Sequence, residues 1–225
     1  MFLICIDKCL CSMNFSYIHT LILQGEHLQQ DFKFAVNDSR KIARSLVAFA
    51  NTKGGRLLIG VKDNGKIAGV RTDEEFYMIE AAAQLYCKPE IKFERKDWLV
   101  DAKKVLEIIV PESADKPYFA QNDAGKWLAY VRVGDENVLA DVVMLKVWKK
   151  QKSGKGVKIK YSKAEKFILS YLGENKNISL NEFYKQAGIS RFRAINIIAD
   201  LVVVGLLDYD FADSRIFYKL AAINF

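Results

Sequence analysis

Four side chains in the first third of the chain are of the types that handle phosphate chemistry. Glu26, Asp31 and Asp63 are carboxylates, and Lys33 follows Asp31 by two positions. From Leu28 to Phe34 the residues alternate as on a strand, with Leu28, Phe32 and Phe34 on one face and His27, Gln29, Asp31 and Lys33 on the other. Glu26 enters just before this strand, and Asp63 follows a second, apolar strand at Arg56–Val61. If the two strands are neighbours, the three carboxylates converge. Such a trio suits one or two divalent cations, Mg2+ or Mn2+, that activate water and stabilise a phosphate leaving oxygen. Lys33 would then neutralise charge in the transition state. The competing reading is a surface ion pair between Asp31 and Lys33, worth under about 1 kcal/mol, with Asp63 merely opening the Asn64-Gly65 turn. His27, beside this face, reads as a polar surface group.

A second set lies far downstream, on a helix capped by Ser190 and closed by Gly205. Arg191, Arg193 and Asn196 fall mostly outside its apolar stripe of Phe192, Ile195, Ile198, Ala199, Leu201 and Val202. Arginine pairs bidentately with guanine and asparagine with adenine, each pair giving roughly 1–3 kcal/mol of discrimination. Polar residues on an exposed helix face are also ordinary, and helical modules of this kind serve in dimerisation and protein docking too.

Charge divides the chain. Residues 1–145 carry 19 basic and 20 acidic side chains, whereas residues 146–225 carry 15 and 7, so the net +7 arises entirely in the last third. That third opens with Lys149, Lys150, Lys152, Lys155, Lys158 and Lys160 and no acid. Such runs are usually solvated linkers, but they also attract a phosphate backbone whatever its sequence. Arg215, at the start of a late strand, adds to the same basic surface. With 51% hydrophobic and 27% charged residues the chain is expected to fold around a sizeable core. No apolar run approaches the roughly 20 residues that span a bilayer. The stretch Met1 to Asp7 makes a poor signal peptide, and Met13 is an equal candidate for the start. Cys5, Cys9, Cys11 and Cys87 lack metal-ligand spacing and read as thiols of a reducing, cytoplasmic compartment.

The elements follow from periodicity. Ile42, Leu46, Phe49 and Ala50 recur at helical spacing after Asn37 or Asp38, and Gly54-Gly55 ends that helix before Leu57, Leu58, Ile59 and Val61. Thr72 to Tyr86 reads as a helix; Ile91–Val100 and Val105–Val110 read as antiparallel strands; Tyr118–Gln121 and Trp127–Val133 read as a hairpin across Asn122 to Gly125. Asp141–Lys150 reads as a returning helix. Beyond the lysines, Ser162 caps a helix with Ala164, Phe167, Ile168, Tyr171 and Leu172 inward. Ser179 and Glu182 form a capping box, and two strands flank a loop at Asp210 to Ser214.

Glu26, Asp31, Phe32 and Lys33, the run Phe49-Ala-Asn-Thr before two glycines, and Tyr130, Arg132 and Gly134 together resemble the AlbA-like domain of the Schlafen family, over roughly residues 24–145. The resemblance implies nucleic-acid binding, as in bacterial transcriptional regulators, or an RNA-cleaving three-acid site, from which Asp31 departs by being shorter than the family's usual glutamate. It also implies that a single-lobe chain could pair with a second copy. An ATP site is not expected, since no Gly-x-x-x-x-Gly-Lys-[Ser/Thr] loop occurs.

The expected organisation is an N-terminal arm (1–20), an AlbA-like domain (21–148), a basic linker (149–160) and a winged helix-turn-helix (161–225). The expected class is α+β, a mixed sheet with flanking helices plus that C-terminal domain. The expected function is a cytoplasmic, homodimeric DNA-binding transcription regulator, with DNA favoured over RNA, no cofactor and no membrane. The alternatives are a Mg2+- or Mn2+-dependent endoribonuclease and a protein-interaction module.

Overall fold

The run Leu57-Leu58-Ile59 does not alternate because its sheet is covered on both faces. A computed structural model describes residues 17–212 and 215–222. In it β1 (Gln30–Lys33), β2 (Gly55–Ile59), β4 (Glu94–Val100) and β5 (Lys103–Val110) form one sheet in the order β1-β2-β5-β4. β1 and β2 run parallel and the other pairs antiparallel. The helix α2 (Ser39–Asn51) covers one face, burying Leu46 and Phe49 with Leu57, Ile59, Leu106 and Ile108. Helix α3 (Glu74–Leu85) adds Ile79, Ala82 and Ala83 to the same core.

The opposite face carries α1 (Tyr17–Gln24), which packs Ile18 and Leu21 on Phe32, Leu58, Val100 and Val105. This helix was not expected: residues 17–20, read as arm, are already in it. Its first residue helps satisfy a fully buried acid. Glu107 accepts from Tyr17 Oη at 2.9 Å, Arg56 Nη1 at 3.2 Å and Trp98 Nε1 at 2.9 Å. Cys5, Cys9, Cys11 and Met13 lie outside the described residues.

The strand read at Trp127–Val133 is broken at Ala129. Its first part, β7 (Trp127–Leu128), pairs with β6 (Phe119–Gln121), which in turn pairs with β3 (Cys87–Lys88). Its second part, β8 (Tyr130–Val133), pairs with β9 (Glu136–Leu139) and packs on α2. The reason is Asn51, at the end of α2, which donates to Tyr118 O and Tyr130 O at 2.9 Å each and accepts from Tyr118 N at 2.8 Å. The bond to Tyr130 O fixes the start of β8 on the helix, and the two to Tyr118 fix the entry to β6 beside it.

The C-terminal part holds α5 (Lys163–Glu174), α6 (Leu180–Gln186), α7 (Arg191–Val203) and the antiparallel pair β10 (Leu207–Ala212) and β11 (Arg215–Leu220) around Ile168, Phe183, Ile198, Leu201 and Tyr218. Ser162, Ser179 and Ser190 cap the three helices, and Ser179 with Glu182 completes the capping box. Helix α4 (Val142–Ser153) belongs to both parts. Its Val143 and Val147 enter this core, while Met144 and Trp148 pack on Ala129 and Val131. Lys149, Lys150 and Lys152, read as linker, are therefore helical, and the non-helical stretch begins at Gly154. Among the described residues no helix is long and apolar enough to cross a membrane.

The α2–β2 junction depends on two glycines. A Cβ on Gly54, at φ +67°, would stand 2.8 Å from Glu112 N and Val110 O; one on Gly55 would stand 2.3 Å from Phe49 Cδ1. Gly134, at φ +58°, has nothing within 4 Å of such a Cβ. Gly134→Ala should therefore cost only the left-handed backbone term, about 1–2 kcal/mol. Gly54→Ala should cost about 1–3 kcal/mol more, because backbone atoms must move. Urea unfolding of both variants checks the difference, and equal losses would refute the steric account.

Candidate functional site

Glu26, Asp31 and Lys33 come together as their spacing implied, with Asp31 buried and Glu26 and Lys33 half-buried at its edge. Asp31 is only 4% exposed and Arg132 only 2%. Lys33 Nζ lies 2.9 Å from Asp31 Oδ1 and also donates to Phe32 O at 2.8 Å. Arg132 Nη2 reaches to 3.7 Å from the same carboxylate and donates to Gln30 O at 3.2 Å. Its Nη1 donates to Asn137 Oδ1 at 3.1 Å, Asn137 donates to Ser45 Oγ at 2.9 Å, and Ser45 donates back to Asp31 Oδ2 at 3.3 Å. The guanidinium also lies over the Phe49 ring, 5.2 Å from its centre. Residues from β1, α2, β8 and β9 thus close one ring of hydrogen bonds across the Arg132–Asp31 ion pair. The reading of Asp31 and Lys33 as a surface pair is corrected: the turn of β8 onto α2 buries the acid.

Electrostatics split the two neighbouring acids. Burial pushes the Glu26 carboxyl up to about 7, helped by its hydrogen bond to Asp31 and opposed by the Phe32 N–H it accepts at 2.8 Å. Burial also opposes ionisation of Asp31, but the hydrogen bond from Glu26 and the charges of Lys33 and Arg132 outweigh it and hold that carboxyl below its ordinary value. When the pair holds a single proton, it sits on Glu26 and Asp31 carries the negative charge.

Asp63 does not join them. Asp31 lies opposite Leu57 in the parallel pair, while Asp63 is exposed in the turn that follows β2, where Val61 bridges to Ile67. Among the described residues no three His, Cys, Asp or Glu side chains are placed to hold a metal ion. The remaining acids do not fit a two-cation site either: Glu26 is engaged with Asp31 and the Phe32 N–H, and Asp31 with a lysine, an arginine and a serine. The three-carboxylate expectation fails because the parallel register sends Asp63 past the end of the sheet.

The downstream set is placed on a surface. Arg191 and Arg193 are exposed on the first turn of α7. Arg193 Nη2 donates to Ser162 Oγ at 3.1 Å, and Asn196 Nδ2 turns back to Phe192 O at 2.8 Å. Phe192, assigned to the core by its spacing, is 73% exposed. The rest of the expected stripe, Ile195, Ile198, Ala199, Leu201 and Val202, meets the core, joined by Ala194 and Ile197. Lys149, Lys152, Lys155 and Lys158 are exposed, while Lys150 is taken up by an ion pair with Asp200. Arg215 is exposed at the start of β11.

A two-faced mixed sheet closed by a buried arginine–aspartate ring defines an α+β domain whose marker residues are internal ties. Residues 26–141, just over half of the chain, match the family described as Schlafen, AlbA_2, and the chain belongs to that family. Among solved structures it is similar to the DIP2311 protein from Corynebacterium diphtheriae, at 19% identity and a TM-score of 0.41, over 65% of this chain and 30% of that one. It is also similar to the N-terminal domain of a RecG-related protein from Nitrosomonas europaea, at 22% identity and a TM-score of 0.42, over 53% of this chain and 87% of that one. The chain thus spans under a third of the Corynebacterium protein. No protein of curated function matches it.

Two outcomes test the ring. Glu26 holds its proton more tightly when folded, so its contribution is full below the ordinary value of 4.5 and is lost as pH rises through about 7. Asp31 has the opposite sign, with stability present above 3.8 and lost as pH falls through its depressed value. Thermal midpoints of the wild type should therefore decline between about pH 5 and 7, and Glu26→Gln should flatten that decline. A variant with an unchanged slope would refute the raised Glu26 carboxyl. Arg132→Met leaves a buried acid short of a partner and should cost roughly 3–5 kcal/mol in urea unfolding; a loss under about 1 kcal/mol, the scale of an exposed pair, would refute the ring.

Proposed function

We propose that this chain is a nucleic-acid-binding protein that acts as a DNA-binding regulator of transcription. On this reading the C-terminal part is a winged helix-turn-helix: α6 and α7 are the helix pair, the β10–β11 hairpin is the wing, and α7 enters the major groove. The observation that carries it is the first turn of α7, where Arg191, Phe192 and Arg193 all face solvent. A helix start in that state has the dimensions and charge the major groove admits. The concentration of the net positive charge after residue 145 supports the same side of the molecule. On this reading Lys149, Lys152, Lys155 and Lys158 meet phosphates on one flank and Arg215 meets them from the wing. The AlbA-like domain is then a platform that holds α4, and through α4 the reading helix. A homodimer would present two α7 helices to two half-sites.

Fluorescence anisotropy of the full chain on a mixed-sequence DNA duplex tests the proposal. Affinity should fall steeply with salt, since each neutralised phosphate contributes a slope of about −0.9 on logarithmic axes. Changing Lys152, Lys155 and Lys158 together to Gln should lower that slope by about 2–3 on every sequence. Lys150→Gln should change it least, because its charge is already paired with Asp200. Arg191→Ala should instead narrow the gap between preferred and other sequences by roughly 1–3 kcal/mol. No binding at low salt would overturn the proposal. Light scattering that reports a monomer with and without DNA would overturn the paired arrangement alone.

A further inference from the structure

The two polar side chains best suited to read bases are partly occupied within the protein. Arg193 donates to Ser162 Oγ and Asn196 to Phe192 O. An apolar ring also projects from this turn into solvent. Phe192 is 73% exposed, with Lys146 of α4 placed 5.8 Å from its centre. What sets Phe192 apart is its neighbours: Arg191 and Arg193 flank it in sequence and are exposed, and Lys146 stands over its ring. Those cations repel basic partners and favour a polyanion. The same spot then needs an apolar feature on that polyanion. In the DNA major groove one is available at base level, the C5 methyl group of thymine, and phenylalanine is among the side chains that contact it. RNA offers no equivalent: uracil lacks the methyl, and the A-form major groove is too narrow for side chains to read.

We propose that Phe192 is a specificity-determining contact that packs its ring on the thymine methyl, with Lys146 seated on the ring and reaching the adjacent phosphate. The proposal rests on α7 being the DNA-facing helix. It also supplies a reason for the chain to take DNA over RNA: the discriminating group is a carbon that only thymine, or a 5-methylated cytosine, carries.

The test uses the full chain and two duplexes of alternating adenine and thymine that differ only in replacement of every thymine by uracil. The wild type should bind the thymine duplex about fourfold more tightly, the factor that corresponds to burial of one methyl group. Phe192→Ala, a change at an exposed site, should leave circular dichroism unaltered and reduce that ratio to about one. Equal wild-type affinity for the two duplexes would overturn the proposal, as would a thymine preference that survives Phe192→Ala. Tighter, Phe192-dependent binding to single-stranded oligo(dT) than to the duplex would overturn it in favour of base stacking. If the wild type binds neither duplex at low salt, the DNA reading fails first and takes this contact with it. Retained, salt-dependent binding without methyl discrimination removes the Phe192 contact alone.

Discussion

The interaction on which the N-terminal domain depends is the buried contact of Arg132 with Asp31. It ties β8, which has left the hairpin begun by β6 and β7, to β1 at the edge of the main sheet. Two charges withdrawn from water gain little net stability from each other unless every remaining donor and acceptor is used. Here most are: Lys33, Ser45, Gln30 and Asn137 complete the ring, and Phe49 lies under the guanidinium. Such a ring selects one arrangement of strands more than it deepens the free-energy well, because any other packing would strand a charge. Asn51 and Thr52 extend the effect. Asn51 Nδ2 donates to Tyr130 O and Arg132 N donates to Thr52 Oγ1, which hold β8 at the end of α2, while two more bonds tie Asn51 to Tyr118.

Seen this way, the residues that mark the family in this chain are largely structural. Gly54 and Gly55 let the backbone pass where a Cβ would collide, Asn51 and Thr52 anchor a displaced strand, and Arg132 neutralises Asp31. The raised Glu26 carboxyl follows from the same geometry, since a neighbouring ionised Asp31 and partial burial both oppose its ionisation.

Much of this was legible in the sequence and some of it was not. Capping residues were readable because they act over three or four positions: Asp38, Ser162, Ser179 and Ser190 all cap the helices assigned to them. The apolar run of β2 and the pairing of β4 with β5 were equally local. The convergence of Asp63 was not readable, because it depended on strand register beyond the last paired residue. The split at Ala129 depended on Asn51, almost eighty positions earlier, and Tyr-x-Arg-x-Gly drew notice without revealing that Arg132 is internal. Phe192 was misassigned for a physical reason: its spacing fits an apolar stripe, but α4 and α6 pack on the adjoining side of α7, and nothing in the local pattern says where those helices lie. Helix α1 was missed because Ile18 and Leu21 fall in a stretch too short for periodicity to register.

The proposed function divides the labour: an internally tied platform in the N-terminal part, a basic surface proposed to read DNA in the C-terminal part, and α4 shared between them. Hydrogen–deuterium exchange of the full chain, with and without duplex DNA, tests that division most directly. The account predicts new protection over the first turn of α7, the stretch after α4 and the start of β11, with exchange around Asp31, Ser45 and Arg132 unchanged. Protection centred on β1 and β8 instead, with α7 unaffected, would contradict it.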